Sequence, residues 1–137
     1  MDIPTLIKSH LWKQLPTPSF TVSEETSANG LRLAVAPTNR QAAQMVFWFA
    51  GTQPVDLLFG RAFSTELESP EPTMLFELID AAIAGRIADH LWTVFGRTIY
   101  SKSEVITKGG RLTVSHGIPF IYPFWLRHDY NYSPYIQ

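Results

Sequence analysis

Two glycine-bearing pairs, Asn29-Gly30 and Gly109-Gly110, do most to limit the folds open to this chain. Each stands between short runs of strand-forming residues. Asn-Gly suits a two-residue type I′ hairpin turn, whose central residues both take positive φ. Leu31, Leu33 and Val35 alternate with other residues after the first pair, as a half-buried strand does. The second pair lies in Lys108-Gly109-Gly110-Arg111, with β-formers over 98–107 before it and 112–115 after it. Hairpins lay sequence neighbours side by side in opposite directions. Parallel strands need long crossovers instead, and the βαβ alternation of a nucleotide-binding parallel sheet is missing. A mostly antiparallel sheet is therefore expected.

The remaining elements follow from periodicity. Ile3, Leu6, Ile7, Leu11, Trp12 and Leu15 recur at helical spacing, so 3–15 is predicted as an amphipathic helix capped by Asp2. Pro4 is tolerated in its first turn, and Pro16 and Pro18 end it. Over 19–60 four strands are expected, containing Phe20 and Val22, Leu31 to Val35, Met45 to Phe49 and Val55 to Phe59. A turn at 51–54 joins the last two. Residues 60–72 are expected to be a connection, and Ser64 to Thr73, with Glu66, Glu68, Glu71, Pro70 and Pro72, an exposed, mobile loop. A second helix starts near Pro72 and stops at Gly85. Alternation of Ile87, Asp89, Leu91 and Thr93 against His90 and Trp92 predicts a strand rather than more helix. Phe95-Gly96-Arg97 marks its turn. The last twenty residues hold seven of the eighteen aromatics and three prolines, and are expected to wrap the sheet in extended segments. The order is α-β-β-β-β-α-β-β-β with an aromatic tail: an α+β fold over 1–137 as one domain, two helices on one face.

Composition removes whole classes of function. With 45% hydrophobic and 17% charged residues the chain is too apolar to be disordered. A net charge of −1 argues against a general nucleic-acid binder. Having no cysteine, the protein has no disulfide, no thiolate nucleophile and no cysteine-ligated metal. No segment approaches the ~20 apolar residues of a membrane helix. The opening Met1-Asp2-Ile3-Pro4 lacks the basic start and apolar run of a secretory signal, so a cytoplasmic protein is expected.

The chain lacks the P-loop, the G-x-G-x-x-G fingerprint, the G-x-S-x-G elbow and H-E-x-x-H. His10, His90, His116 and His128 are never three or four residues apart, so no two share a helical turn as zinc ligands do. Asp89-His90 is a poor acid–base unit, because adjacent strand residues face opposite ways. Glu104, two residues from Lys102, suits an ion pair on one sheet face. No catalytic residue, cofactor or metal ligand is assigned.

Charge is distributed more tellingly. Residues 62–85 carry Glu66, Glu68, Glu71, Glu77 and Asp80 with no base, a sum of −5, whereas 86–137 sum to +3. An acidic segment can meet a basic surface, where complementary potentials speed association. Tyr and Trp favour interface hot spots, which adds Tyr130 and Tyr132 of the tail. Glu66, Glu68, Glu71, Tyr130 and Tyr132 are thus the expected contact residues. The helix from Leu75 to Gly85 running into Arg86-Ile87, the strand at 98–106 with its Gly109-Gly110 turn, and the acidic stretch at 64–73 together resemble small α+β immunity proteins of bacterial polymorphic toxin systems. The resemblance spans about 72–116 and rests on no residue-level motif. It implies a non-catalytic inhibitor that occludes a toxin domain's basic active-site surface, with no nucleic acid or membrane involved. The alternative is a small enzyme or ligand binder with a pocket between sheet and helices lined by Trp48, Phe59 and Trp92. A third reading is a homo-oligomer subunit whose tail packs on a neighbour.

Overall fold

The computed structural model describes residues 2–16, 19–50, 55–67, 71–117 and 125–136. Its elements run α1 (Ile3–Gln14), β1 (Phe20–Ser27), β2 (Gly30–Pro37), β3 (Met45–Phe49), β4 (Val55–Phe59), β5 (Phe63–Leu67), α2 (Pro72–Ile83), β6 (Ile87–Val94), β7 (Arg97–Thr107), β8 (Gly110–Gly117) and β9 (Leu126–Asn131). The fold is α+β. The strands divide into two antiparallel sheets, a meander β1-β2-β3-β4-β5 and a second sheet ordered β8-β7-β6-β9.

Both helices begin and end where local chemistry dictates. Asp2 Oδ1 accepts the Thr5 N–H at 2.9 Å, satisfying one of the unpaired donors of the first turn of α1. Helix α2 opens on Pro72 without a side-chain cap from Glu71. It closes with the Arg86 N–H on the Ala81 carbonyl at 2.8 Å, a Schellman pattern. Gly85 takes φ +75 there, and a Cβ would lie 2.7 Å from the Pro134 nitrogen. Glycine thus serves both the turn and the approach of the C-terminal segment.

The hairpins correct one expectation. Ser27 pairs with Gly30 and Thr107 with Gly110, so the loops are Ala28-Asn29 and Lys108-Gly109. Only the glycine that opens each return strand has positive φ, +133 and +137. The pair with positive φ at both central positions is Phe95-Gly96, at 50 and 78 degrees, joining β6 to β7.

Two strands lie where none was expected. Residues 63–67 form β5, paired with β4 from Phe59↔Phe63 to Val55↔Leu67. Phe63 is buried and Leu67 packs against the core, and that apolar alternation outweighs the neighbouring acids and prolines. The described part of the acidic connection is thus a paired edge strand. Strand β9 comes from the aromatic tail and completes the second sheet beside β6. Expectations for Pro18, the turn at 51–54, Glu68 and the tail at 118–124 fall outside the described residues.

A single apolar cluster joins these parts. It takes Ile7 and Leu11 from α1, Leu75, Leu78 and Ile79 from α2, and the inner face of the meander through Leu33, Val35, Phe47, Leu57 and Phe59. Ile87 and Val105 enter from the second sheet, and Tyr135 closes it from the C-terminal segment. Full burial of each large apolar side chain contributes roughly 1.5–3 kcal/mol. The inner residues of β2 follow the period of two that the sequence displays, whereas Met45 to Phe49, which without alternation reads as a strand covered on both faces, leaves Trp48 exposed on its outer side.

Candidate functional site

Register places five outer residues of the meander in one row across the strands: Glu25, Arg32, Trp48, Asp56 and Glu66. Trp48 remains 38% exposed. Asp56 and Glu66, both exposed, stand directly opposite one another on β4 and β5. Among the described residues neither carboxylate has an ion-pair partner. Like charges in direct cross-strand register are destabilising. A charged edge strand also discourages sheet-to-sheet aggregation, but one carboxylate on β5 would do that without a second opposite it. Trp48 flanks the pair on the neighbouring strand, so an amphipathic ring and two carboxylates form one open patch.

The outward face of the second sheet carries a different group. His90 Nδ1 donates to Asp129 Oδ1 at 2.6 Å, and Arg127 Nε donates to the same oxygen at 2.8 Å. The first of these bonds, aided by the second, holds the Asp129 carboxyl below its ordinary value of 3.8. The Arg127 guanidinium lies over the Trp92 ring at 5.2 Å, and Trp92 packs against Tyr100 and Trp125. A carboxylate that fixes an imidazole is half of a nucleophile-activating relay. Among the described residues the His90 ring donates to Asp129, with Arg127 Nη2 3.4 Å from the same nitrogen and no hydroxyl awaiting deprotonation. Lys102 and Glu104 approach to 3.9 Å on the same face, in keeping with the expected ion pair.

The other histidines are used between elements. His10 donates to Asp80 at 2.7 Å and stacks on Phe76, joining α1 to α2. His116 donates to the Ser64 carbonyl at 3.0 Å, tying β8 to β5. His128 meets the Thr93 hydroxyl at 3.2 Å. Among the described residues no three His, Asp or Glu side chains gather as a metal site would need.

The residues singled out from sequence do not share one surface. Glu66 lies in the meander patch, and Glu71 is exposed at the start of α2. Glu68 falls outside the described residues. Tyr130 sits under the Arg61 guanidinium, 4.2 Å from ring centre to carbon. Tyr132 is half-buried and its hydroxyl donates to Asp89 at 2.7 Å. Burial, reinforced by that carboxylate, pushes its hydroxyl pKa upward. The alternative pocket is corrected as well. Phe59 is buried in the core, Trp48 lies on the outer face of the meander, and Trp92 lies on the outer face of the second sheet. The three do not line a common cavity.

Asp56 carries no signal in the linear sequence, and Asp89 is notable there only as a poor partner for His90. Asp56 becomes notable only when β5 is recognised, because only then does it face Glu66. Asp89 is fully buried and accepts four hydrogen bonds, from the Arg61 N–H (2.8 Å), the Ala62 N–H (3.2 Å), Ser103 Oγ (2.6 Å) and Tyr132 Oη (2.7 Å). Its alternation with Ile87 and Leu91 put it on an inward face, and an acid on such a face requires converging donors. No helix among the described residues is long and apolar enough to cross a membrane. No family model, curated protein or solved structure matches this chain.

Proposed function

We propose that this protein is a binding module without chemistry of its own, and that it docks a basic protein surface on the Trp48–Asp56–Glu66 patch. The observation that carries this reading is the directly opposed, unneutralised carboxylate pair beside a half-exposed tryptophan. Such a pair lowers stability in the free protein. It gains a purpose when a partner's lysines or arginines neutralise both groups. Tryptophan beside it supplies the large contact area typical of interface hot spots. In the immunity-type form of the proposal the partner is a toxin domain whose basic active-site surface is occluded.

The test is capture from the encoding organism with wild-type protein and with the double variant Asp56→Lys, Glu66→Lys. The product of the adjacent gene is tried first as a purified partner. The expected result is a partner held by wild type and lost by the variant, with an association rate that falls about tenfold and a flattened salt dependence. Capture of the same proteins in the same amounts by both forms, or by neither, overturns the reading. For a toxin partner, loss of protection by the variant in cells is the matching outcome.

A further inference from the structure

A cleft opens at the other end of the meander, where β2 ends, the 38–44 loop returns and the β4–β5 turn comes up beside it. Its volume is about 440 Å³, and its polar lining is Arg40, Gln44, Arg61 and Tyr132. Arg40 and Arg61 are exposed, and among the described residues neither pairs with a carboxylate. Gln44 is also exposed and borders the cleft. Asp89 lies behind the turn with its oxygens already occupied by four donors.

Both arginines sit on backbone that is held in place. On the Arg40 side, Gln41 O accepts the Ser133 N–H at 2.9 Å, Asn39 Nδ2 donates to the Pro134 carbonyl at 2.9 Å, and the Tyr135 hydroxyl donates to the Ala43 carbonyl at 2.6 Å. On the Arg61 side, the buried Asp89 carboxylate fixes the turn through two N–H groups, and the Gly60 N–H donates to the Gln44 carbonyl at 2.9 Å. The Arg61 guanidinium is further oriented by the Tyr130 ring beneath it. Two cationic forks thus face one cleft on pre-set backbone, which lowers the ordering penalty of binding.

We infer that this cleft binds a small organic phosphate monoester. Two guanidinium groups match a dianion and can each engage phosphoryl oxygens bidentately, whereas a single carboxylate occupies one fork. The volume lies within the range of small-molecule sites and exceeds what a bare phosphate fills. Ala36, Pro37 and Ala42 supply an apolar wall for the ester group. The inference is independent of the acidic patch, which lies on the opposite end of the strands.

The experiment is a titration of the full chain followed by amide and arginine Nε–H NMR signals at constant ionic strength. The probes are phenyl phosphate, inorganic phosphate and benzoate. Saturable shifts at Arg40 and Arg61 are expected, tightest for phenyl phosphate. Arg40→Gln and Arg61→Gln should each weaken it about tenfold, with otherwise unchanged spectra. Arg40 is on an exposed turn, so its variant remains informative if Arg61→Gln disturbs the fold. Linear, non-saturating shifts overturn the site, as does unchanged affinity in the Arg40 variant. Benzoate binding as tightly as phenyl phosphate overturns the phosphate assignment. Asp56→Lys, Glu66→Lys should leave phosphate binding intact, so failure of one proposal is separable from failure of the other.

Discussion

Replacing Asp89 should loosen the joint between the two sheets, and the structure says by how much. The carboxylate is inaccessible to solvent and takes four donors from three places: the β4–β5 turn, β7 and the segment after β9. Asp89→Ala removes the acceptor these donors share. Arg61 is exposed and Tyr132 is half-buried, so water can serve their groups after a small shift. The Ala62 N–H and the Ser103 hydroxyl lie in buried residues and cannot be served so easily. Each buried unsatisfied group costs about 1–3 kcal/mol, so Asp89→Ala should cost roughly 3–5 kcal/mol once lost packing is included. That is a large share of the ~5–15 kcal/mol by which domains are stable. Asp89→Asn separates the hydrogen bonds from mere bulk. Its carbonyl oxygen can face the turn N–H groups and Tyr132, while its NH₂ faces Ser103, whose hydroxyl can rotate to accept. The asparagine variant should therefore lose only about 1–2 kcal/mol. Urea unfolding followed by tryptophan fluorescence measures both. Thermal midpoints should fall by roughly 10 °C or more for alanine, at a few degrees per kcal/mol for a chain of this size. An alanine variant within 1 kcal/mol of wild type, or an asparagine variant as damaged as the alanine one, would refute the assignment of Asp89 as the joint.

Two further outcomes are expected from the outer faces. Asp56→Asn relieves the repulsion against Glu66 and should raise stability by about 0.2–1 kcal/mol, read as a higher urea midpoint at low salt; a lower midpoint would show that Asp56 has a stabilising role instead. The Asp129 carboxyl is held below 3.8 in the folded state chiefly by the His90 bond and secondarily by Arg127. A depressed carboxyl stabilises the fold above the unfolded value and loses that contribution as pH falls through the folded one. Its carbon-13 titration should have a midpoint under 3.8, and His90→Phe should move that midpoint upward. A midpoint unmoved by His90→Phe would assign the shift to another group.

Local order was legible in the residues themselves. The helix over 3–15 was visible because Ile7 and Leu11 share a face, and Asp2 carries the oxygen its first turn needs. The inner residues of β2 to β4 declared themselves by spacing or by apolar density. The second helix ended where Gly85 allows a left-handed turn. These features depend on neighbours within about one turn or one pleat, so sequence determines them directly. Where the reading missed, composition competed with spacing. Glu66, Pro70 and Pro72 suggested a loop, while Phe63 and Leu67 were building a strand.

Which distant residues meet is set by pairing and packing across the whole fold. Asp56 and Glu66 face each other because β4 and β5 pair in one register and not the next; a one-residue slip would place them on opposite faces. Arg40 and Arg61 border one cleft because the 132–135 segment ties down the first loop and Asp89 the second. Tyr132, attractive as a contact residue for its polar tip, is turned inward by that same acid. Periodicity assigns a side chain to a face of its own element. Strand order and register choose the side chains that share that face, and these are settled by burial and hydrogen bonding across the whole chain.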